Sequence, residues 1–422
     1  MRFGIKTLED FELGGKTVLC RVDINEPINR EDNTLKDITR IKGCLPTLIE
    51  LSDKGAKLVV LAHQGSDIEY KNYYTLEPHA KVLGELMGRE VQFIDDVCGP
   101  AARERIKALK DGEVLLLDNV RFVAEEQTLF ELQLKLTHEQ QAKTQIVTKL
   151  APLADLYVCD AFAAAHRDQP TLCGFEEVLP SAMGRLFEKE YCVISELMES
   201  PEKPCTFVLG GAKISDAFMM MNAVLSSKSA DKILTGGLVA EIIQLSQDKN
   251  LGSGTYDFIE KSGYASLISK AKELYSEYAE HIVLPVDFAT SKNGERREYL
   301  LDDIPADATV LDIGSETAKL YHDIIMNSKT VFCNGPVGVF EKEETEFGTK
   351  AVFEAIAESS AFSVIGGGDS ITAAKKYGVT DKISYICTGG GALIRFLSGE
   401  ELPVVLALRK AGARNKTIDS SL

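Results

Sequence analysis

The chain has 422 residues, a formal net charge of −17 and 45% hydrophobic residues. That length is too great for one small core and makes two domains the default. The acidic balance argues against nonspecific binding to nucleic acid or to acidic membranes, and no run of about eighteen apolar residues offers a spanning helix.

In chain order, an apolar strand, a small or polar turn and an amphipathic helix recur many times. Strands are predicted over Thr17–Val22, Lys57–Ala62, Val91–Phe93, Val114–Leu117 and Leu156–Cys159. They continue over Thr206–Leu209, Lys232–Leu234, Ile282–Val286, Val331–Cys333, Phe362–Ile365 and Ile383–Ile386. Helical spacing fills most gaps, as at Leu76–Leu86 and Glu344–Ile356. Short continuous apolar strands alternating with helices imply parallel sheets covered on both faces. The expected fold class is therefore α/β, with two doubly wound parallel-sheet (Rossmann-like) domains joined by a helical hinge. That hinge is Ser181–Ser200, read as one helix from Met183, Leu186, Phe187, Tyr191, Ile194 and Leu197. Val123–Lys149, polar and rich in Glu and Gln, reads as a surface excursion plus helix with no chemistry assigned.

The nine cysteines form no C-x-x-C pair, and Cys20, Cys159, Cys333 and Cys387 sit in apolar strand-like runs. That pattern reads as core packing in a reducing compartment, not as zinc binding. The first residues, MRFGIKTLEDFELGGK, lack the apolar core of a signal peptide, so a cytoplasmic location is expected. His79, His138 and His322 lie in polar helical patterns and are expected at the surface.

The two halves end their strands differently. In the first half the strands lead into Asp23 and Asn25, His63, Asn119 and Arg121, Asp160, His166 and Arg167. In the second they lead into Gly210-Gly211-Ala212-Lys213, Gly236-Gly237, Asn334-Gly335-Pro336, Gly366–Gly368 and Gly389–Gly391. Ligands of open parallel sheets bind at the carboxyl ends of the strands. Arginine forks there suit a small anion such as phosphate or carboxylate. Glycine runs there allow a larger ligand close backbone approach, and FSVIGGGDSI adds an acid, Asp369, at a helix start that favours an anion. No G-x-x-x-x-G-K-[ST], G-x-G-x-x-G or G-x-S-x-G motif occurs in such a context. A nucleotide held by several separate backbone segments fits this pattern.

Taken together, RVDIN (Arg21–Asn25), TRI (Thr39–Ile41), DNVRF (Asp118–Phe122), DAFAAAHR (Asp160–Arg167), LGGAK (Leu209–Lys213), NGPVGVFE (Asn334–Glu341), GGGDS (Gly366–Ser370) and TGGGA (Thr388–Ala392) resemble the phosphoglycerate kinase family, in family order. QPTLCGF and TGGLVA look most like its archaeal branch. The resemblance implies an acceptor domain over 1–180, an interdomain helix over 181–200 and a nucleotide-binding domain over 201–395. It also implies a segment, 396–422, returning towards the first domain. It implies 3-phosphoglycerate bound by Asp23, Asn25, Arg40, His63, Arg121 and Arg167. It implies ATP or ADP bound by Gly211, Lys213, Asn334, Glu341, Gly366, Gly367, Gly368, Asp369, Ser370, Gly389 and Gly390, with Mg2+ at Asp369. Arg40 and Lys213 are then the catalytic pair. No nucleic-acid or membrane partner is expected, and a monomer is.

The chain departs from the family's pattern at three places. Where H-x-[GS]-R-P is usual, it has His63-Gln64-Gly65-Ser66-Asp67, so Ser66 replaces an arginine expected on the substrate phosphate. One lost charge-assisted contact weakens affinity roughly ten- to a hundredfold, and Lys71, near in sequence, could compensate. Ala217 stands where many members have a second lysine, and Gly314-Ser315 where Gly-Pro is usual. Ser66 leaves two alternatives open: a paralogue phosphorylating a related carboxylate, or a nucleotide-binding regulator without turnover. Retention of Arg40 and Lys213 counts against the second.

Overall fold

The structure, a computed structural model, describes residues 1–65 and 73–419. Its chain divides into two compact units, Met1–Cys192 with Glu401–Leu422, and Val193–Glu400. Each contains a six-stranded parallel sheet.

In the first unit the strands are β1 (Thr17–Arg21), β2 (Lys57–Leu61), β3 (Val91–Ile94), β4 (Val114–Leu117), β5 (Leu156–Cys159) and β6 (Ser181–Met183). They run in the order β3-β4-β2-β1-β5-β6. The Val- and Leu-rich runs of β1, β2 and β4 are buried because helices cover the sheet. Val18, Cys20, Val60 and Leu116 pack with Ile41 and Leu48 of the helix Thr39–Asp53 and Leu83 of the helix Glu77–Met87. The connection after β1 leads to β2 on one side, whereas β5, on the other side of β1, leads away to β6. Loops diverging from adjacent strands open a crevice at the carboxyl ends of β1 and β5.

The second unit repeats this logic with β7 (Cys205–Leu209), β8 (Lys232–Thr235), β9 (Ile282–Val283), β13 (Thr330–Asn334), β14 (Phe362–Gly366) and β15 (Tyr385–Cys387), ordered β15-β14-β13-β7-β8-β9. Its crevice opens between β7 and β13. A small antiparallel sheet interrupts the series: β10 (Asp287–Lys292) pairs with β11 (Glu295–Leu300) and β12 (Asp312–Ile313). The apolar run Ile282–Val286 is thus shorter as a strand than expected. Asn293 and Gly294, both at positive φ, turn a hairpin immediately after it.

Two other expectations are corrected. Ser181–Ser200 is not one helix. Ser181–Met183 is an edge strand on β5, and Gly184 turns the chain into the helix Arg185–Glu199. A Cβ at Gly184 would lie 2.3 Å from Asp160 Oδ1, and that carboxylate accepts the N–H groups of Leu186 and Phe187 to cap the helix. The cap fixes the helix start, so Met183 belongs to the sheet despite its helical spacing. His79 is fully buried, because it lies on the inward stripe of its helix with Ala80, Leu83 and Met87. All nine cysteines are buried free thiols. Among the described residues no helix is long and apolar enough to cross a membrane.

Candidate active site

In the first unit β1 runs out into Asp23, which is 6% exposed. Its Oδ1 accepts the Asn25 N–H at 3.1 Å, and its Oδ2 pairs with the Arg40 guanidinium. Arg40 is the second residue of the helix Thr39–Asp53. Glu26 Oε1 holds that helix start by accepting the N–H groups of Arg40 (2.7 Å) and Ile41 (3.1 Å). Asn25 Oδ1 accepts the Gly65 N–H at 2.9 Å. Ser66, Asp67 and Lys71 lie outside the described residues.

His63, two residues beyond β2, is 4% exposed and places Nδ1 3.1 Å from Arg21 Nη2. A guanidinium cannot accept, so Nδ1 is the acceptor and Nε2 carries the proton. Burial, then the charges of Arg21, Arg121, Arg167 and Arg40, hold His63 well below the usual histidine range, so it is a neutral N–H donor. Arg40, Arg121 and Arg167 are thus close enough for their charges to act on His63.

Arg121 is 1% exposed, and its Nε and Nη1 find no hydrogen-bond partner among the described residues. Burial and the neighbouring Arg167 push it down to about 10, and its guanidinium lies 5.9 Å from the Tyr73 ring centroid. An unpaired guanidinium costs free energy unless an anion completes it. Arg167 donates to Thr128 Oγ1 at 3.3 Å and lies 3.9 Å from Glu131. Both partners come from the 123–149 stretch that had no assigned chemistry. The same stretch supplies Glu126 to a buried relay in which Arg21 Nε donates to Thr171 Oγ1 (3.1 Å) and Thr171 donates to Glu126 (2.7 Å). Sequence reasoning missed Arg21 as a site residue, although it opens the RVDIN motif.

In the second unit the β7 and β13 strand ends interlock. Gly210 N–H donates to Asn334 O at 3.0 Å and Gly211 N–H to Pro336 O at 2.7 Å. A Cβ on Gly210 would lie 2.1 Å from Pro336 O, and Gly211 has φ +77°. Lys213 is exposed, directly before the helix Ile214–Ser226. After β14, Gly367 has φ +87°, and a Cβ there would lie 2.4 Å from Asn334 Oδ1. Gly366 sits under Leu393, while Gly368 faces open space at the start of the helix Gly368–Lys376. Ser370 is fully buried and accepts the Gly335 N–H at 2.7 Å, pinning the β13 loop to the β14 loop. Gly389 and Gly390 open the helix Gly390–Leu397 after β15.

A cavity of about 330 Å³ opens here, lined among others by Gly211, Gly237, Leu311, Pro336, Glu341 and Asp369. That volume suits a small-molecule ligand. Asp369 is exposed and makes no hydrogen bond or ion pair with any described residue. A free carboxylate is the hard oxygen donor that Mg2+ takes, so the residues fit that ion.

The phosphoglycerate kinase family model matches residues 8–400. The phosphoglycerate kinase of Methanothermobacter thermautotrophicus is 46% identical over 409 residues, covering 97% of this chain and 98% of that protein. That of Thermococcus onnurineus is 44% identical over 418 residues, covering 97% of each. The crystal structure of the Pyrococcus horikoshii phosphoglycerate kinase superposes with a TM-score of 0.85 at 43% identity, covering 97% of this chain and all of that one. The structure of phosphoglycerate kinase from Coxiella burnetii superposes with a TM-score of 0.83 at 27% identity, with the same coverage. A match of this extent is decisive: the chain belongs to the phosphoglycerate kinase family.

Proposed function

We propose that the two strand-end sites divide the family's reaction, reversible phosphoryl transfer between ATP or ADP and the carboxyl group of 3-phosphoglycerate. The first unit takes the phosphoglycerate. Arg121, His63 and Arg167 bind its oxygens, and Asp23 and Asn25 take its hydroxyl. The observation that carries this assignment is the buried Arg121 guanidinium with two nitrogens unspent. The second unit takes the nucleotide. Backbone at Gly211, Gly366–Gly368, Gly389 and Gly390 approaches its phosphates, Asn334 borders them, and Glu341 takes the ribose. Asp369 would hold Mg2+, which when bound neutralises charge on the nucleotide phosphate oxygens.

Attacking and leaving oxygens are both ionised at neutral pH, so no general base is required. The work left to the protein is charge neutralisation and in-line positioning of the phosphoryl group. We assign that role to Arg40 and Lys213. Arg40 spends one donor on Asp23 and keeps more than a third of its side chain exposed, so it has donors left for an oxyanion.

The test is coupled ATP turnover with 3-phosphoglycerate over a wide concentration range. Saturable turnover is expected, and Arg40→Ala and Lys213→Ala should each lower kcat by two orders of magnitude or more. Nucleotide binding without turnover, or turnover on another acid alone, would overturn the assignment.

A further inference from the structure

The nucleotide cavity contains a group that phosphate chemistry does not use. Glu241, on the helix Gly237–Ser246, is 5% exposed and lines the cavity. It makes no hydrogen bond or ion pair with any described residue, and burial is the sole influence on its carboxyl. Around it the lining side chains are apolar: Leu238, Val310, Leu311, Val339 and Phe340. Thr255 spends its hydroxyl, donating to Leu251 O and accepting from Val310 N–H, both at 2.8 Å. Thr309, Glu341 and Asp369 are exposed. Glu241 is therefore the buried carboxyl of an otherwise apolar wall, and an unpaired polar group there is costly unless a ligand completes it.

None of the described residues lining the cavity is a lysine or arginine, so a phosphate has no side-chain cation beside Glu241 to neutralise it. A heterocyclic base can be that ligand: its faces suit the apolar wall, and its edge carries N–H donors. We propose that Glu241 is the residue that reads the nucleotide base, its carboxyl oxygen accepting an N–H of the exocyclic 6-amino group of adenine. This rests on the reading of the cavity as the nucleotide seat. Burial pushes Glu241 up to about 8, so near neutral pH it is mostly a carboxylic acid, which accepts through its carbonyl oxygen and donates through its hydroxyl. It therefore enters the pocket without adding a charge beside the phosphates.

The test compares ATP with purine riboside triphosphate, which lacks the 6-amino group, in the coupled assay with the full-length enzyme. The wild type should favour ATP by about tenfold or more in kcat/KM, the scale of a bond to a buried polar group. Glu241→Leu should lose that preference through a loss on ATP alone. Glu241→Gln, whose amide oxygen still accepts, should keep it. A preference unchanged in Glu241→Leu, or a loss equal on both nucleotides, overturns the proposal and leaves the seat itself intact. Leu238→Trp, which fills the cavity, should raise KM for both nucleotides. If it changes neither, the seat has been misplaced, and this inference falls with it.

Discussion

Arg121 carries opposite demands in the free and the liganded enzyme. Without an anion its Nε and Nη1 are buried and have no partner among the described residues, which destabilises the fold; with one they become charge-assisted donors. Arg121→Gln should therefore raise the apparent KM for 3-phosphoglycerate ten- to a hundredfold while leaving the melting temperature of the free enzyme equal or higher. A lower melting temperature together with an unchanged KM would mean that the side chain serves packing alone. Ser66→Arg should act in the other direction and lower that KM, by up to the same factor. Glu241 supplies a prediction in pH. Its folded pKa is raised to about 8, well above an unfolded glutamate, so between about 4 and 8 the native state holds a proton that the unfolded state has lost. Stability falls as pH rises through that window and is flat outside it, by an amount on the order of a few kcal/mol. Melting curves at pH 5 and 8 should show a smaller decline for Glu241→Gln than for wild type. At this scale the sequence displayed the motif residues but not what sits behind them. His79 reads as polar surface in a helical pattern, and only packing reveals that its Nε2 meets Gln64 Oε1 at 3.0 Å, with burial lowering it to about 4. Arg21 was in plain view, yet its pairing with a threonine 150 positions later is set by tertiary contact.

Among elements, strand ends decide where chemistry can occur, and the β7 and β13 ends show how tightly they are fitted. The Pro336 carbonyl occupies the space a Cβ on Gly210 would need. Gly210→Ala must push the two strand ends apart; overpacking of this kind costs about 1–3 kcal/mol or more. The expected outcome is a lower melting temperature together with weakened ADP binding, read by calorimetry. Full retention of ADP affinity would show that the interlock is not part of the nucleotide seat. Most strands were legible because continuous Val, Leu and Ile runs have few other homes in a parallel sheet. The Ser181–Met183 strand was not, since three residues give periodicity nothing to measure and a helix with the same spacing follows at once. The β10–β11 hairpin could have been read. Asn-Gly between Ser291-Lys292 and Glu295-Arg296 is a strong hairpin signal, but the four charged residues that open β11 hid it behind an exposed, polar strand.

For the molecule as a whole, the second unit is an insertion into the first. The first unit takes its residues from both sides of Val193–Glu400 and includes the helix Pro403–Asp419. That helix is bound to its own unit by named contacts: Arg409 Nη2 donates to Tyr191 Oη at 2.8 Å, and Arg414 Nη1 to Glu177 O at 2.9 Å. Val404 N–H adds a bond to Ala165 O, two residues before Arg167. Removing residues 401–422 should leave Val193–Glu400 intact and able to bind ADP, while weakening 3-phosphoglycerate binding. Loss of ADP binding in the truncated chain would contradict the division into units.

The insertion also sets an order of manufacture. A ribosome finishes all of Val193–Glu400 before it makes Pro403–Asp419. The nucleotide seat can thus be assembled, and even occupied, on a nascent chain whose acceptor unit still lacks its last helix. Cellular ATP and ADP would then stabilise the half-made protein during translation, while phosphoglycerate would gain its full site only once the final helix has docked.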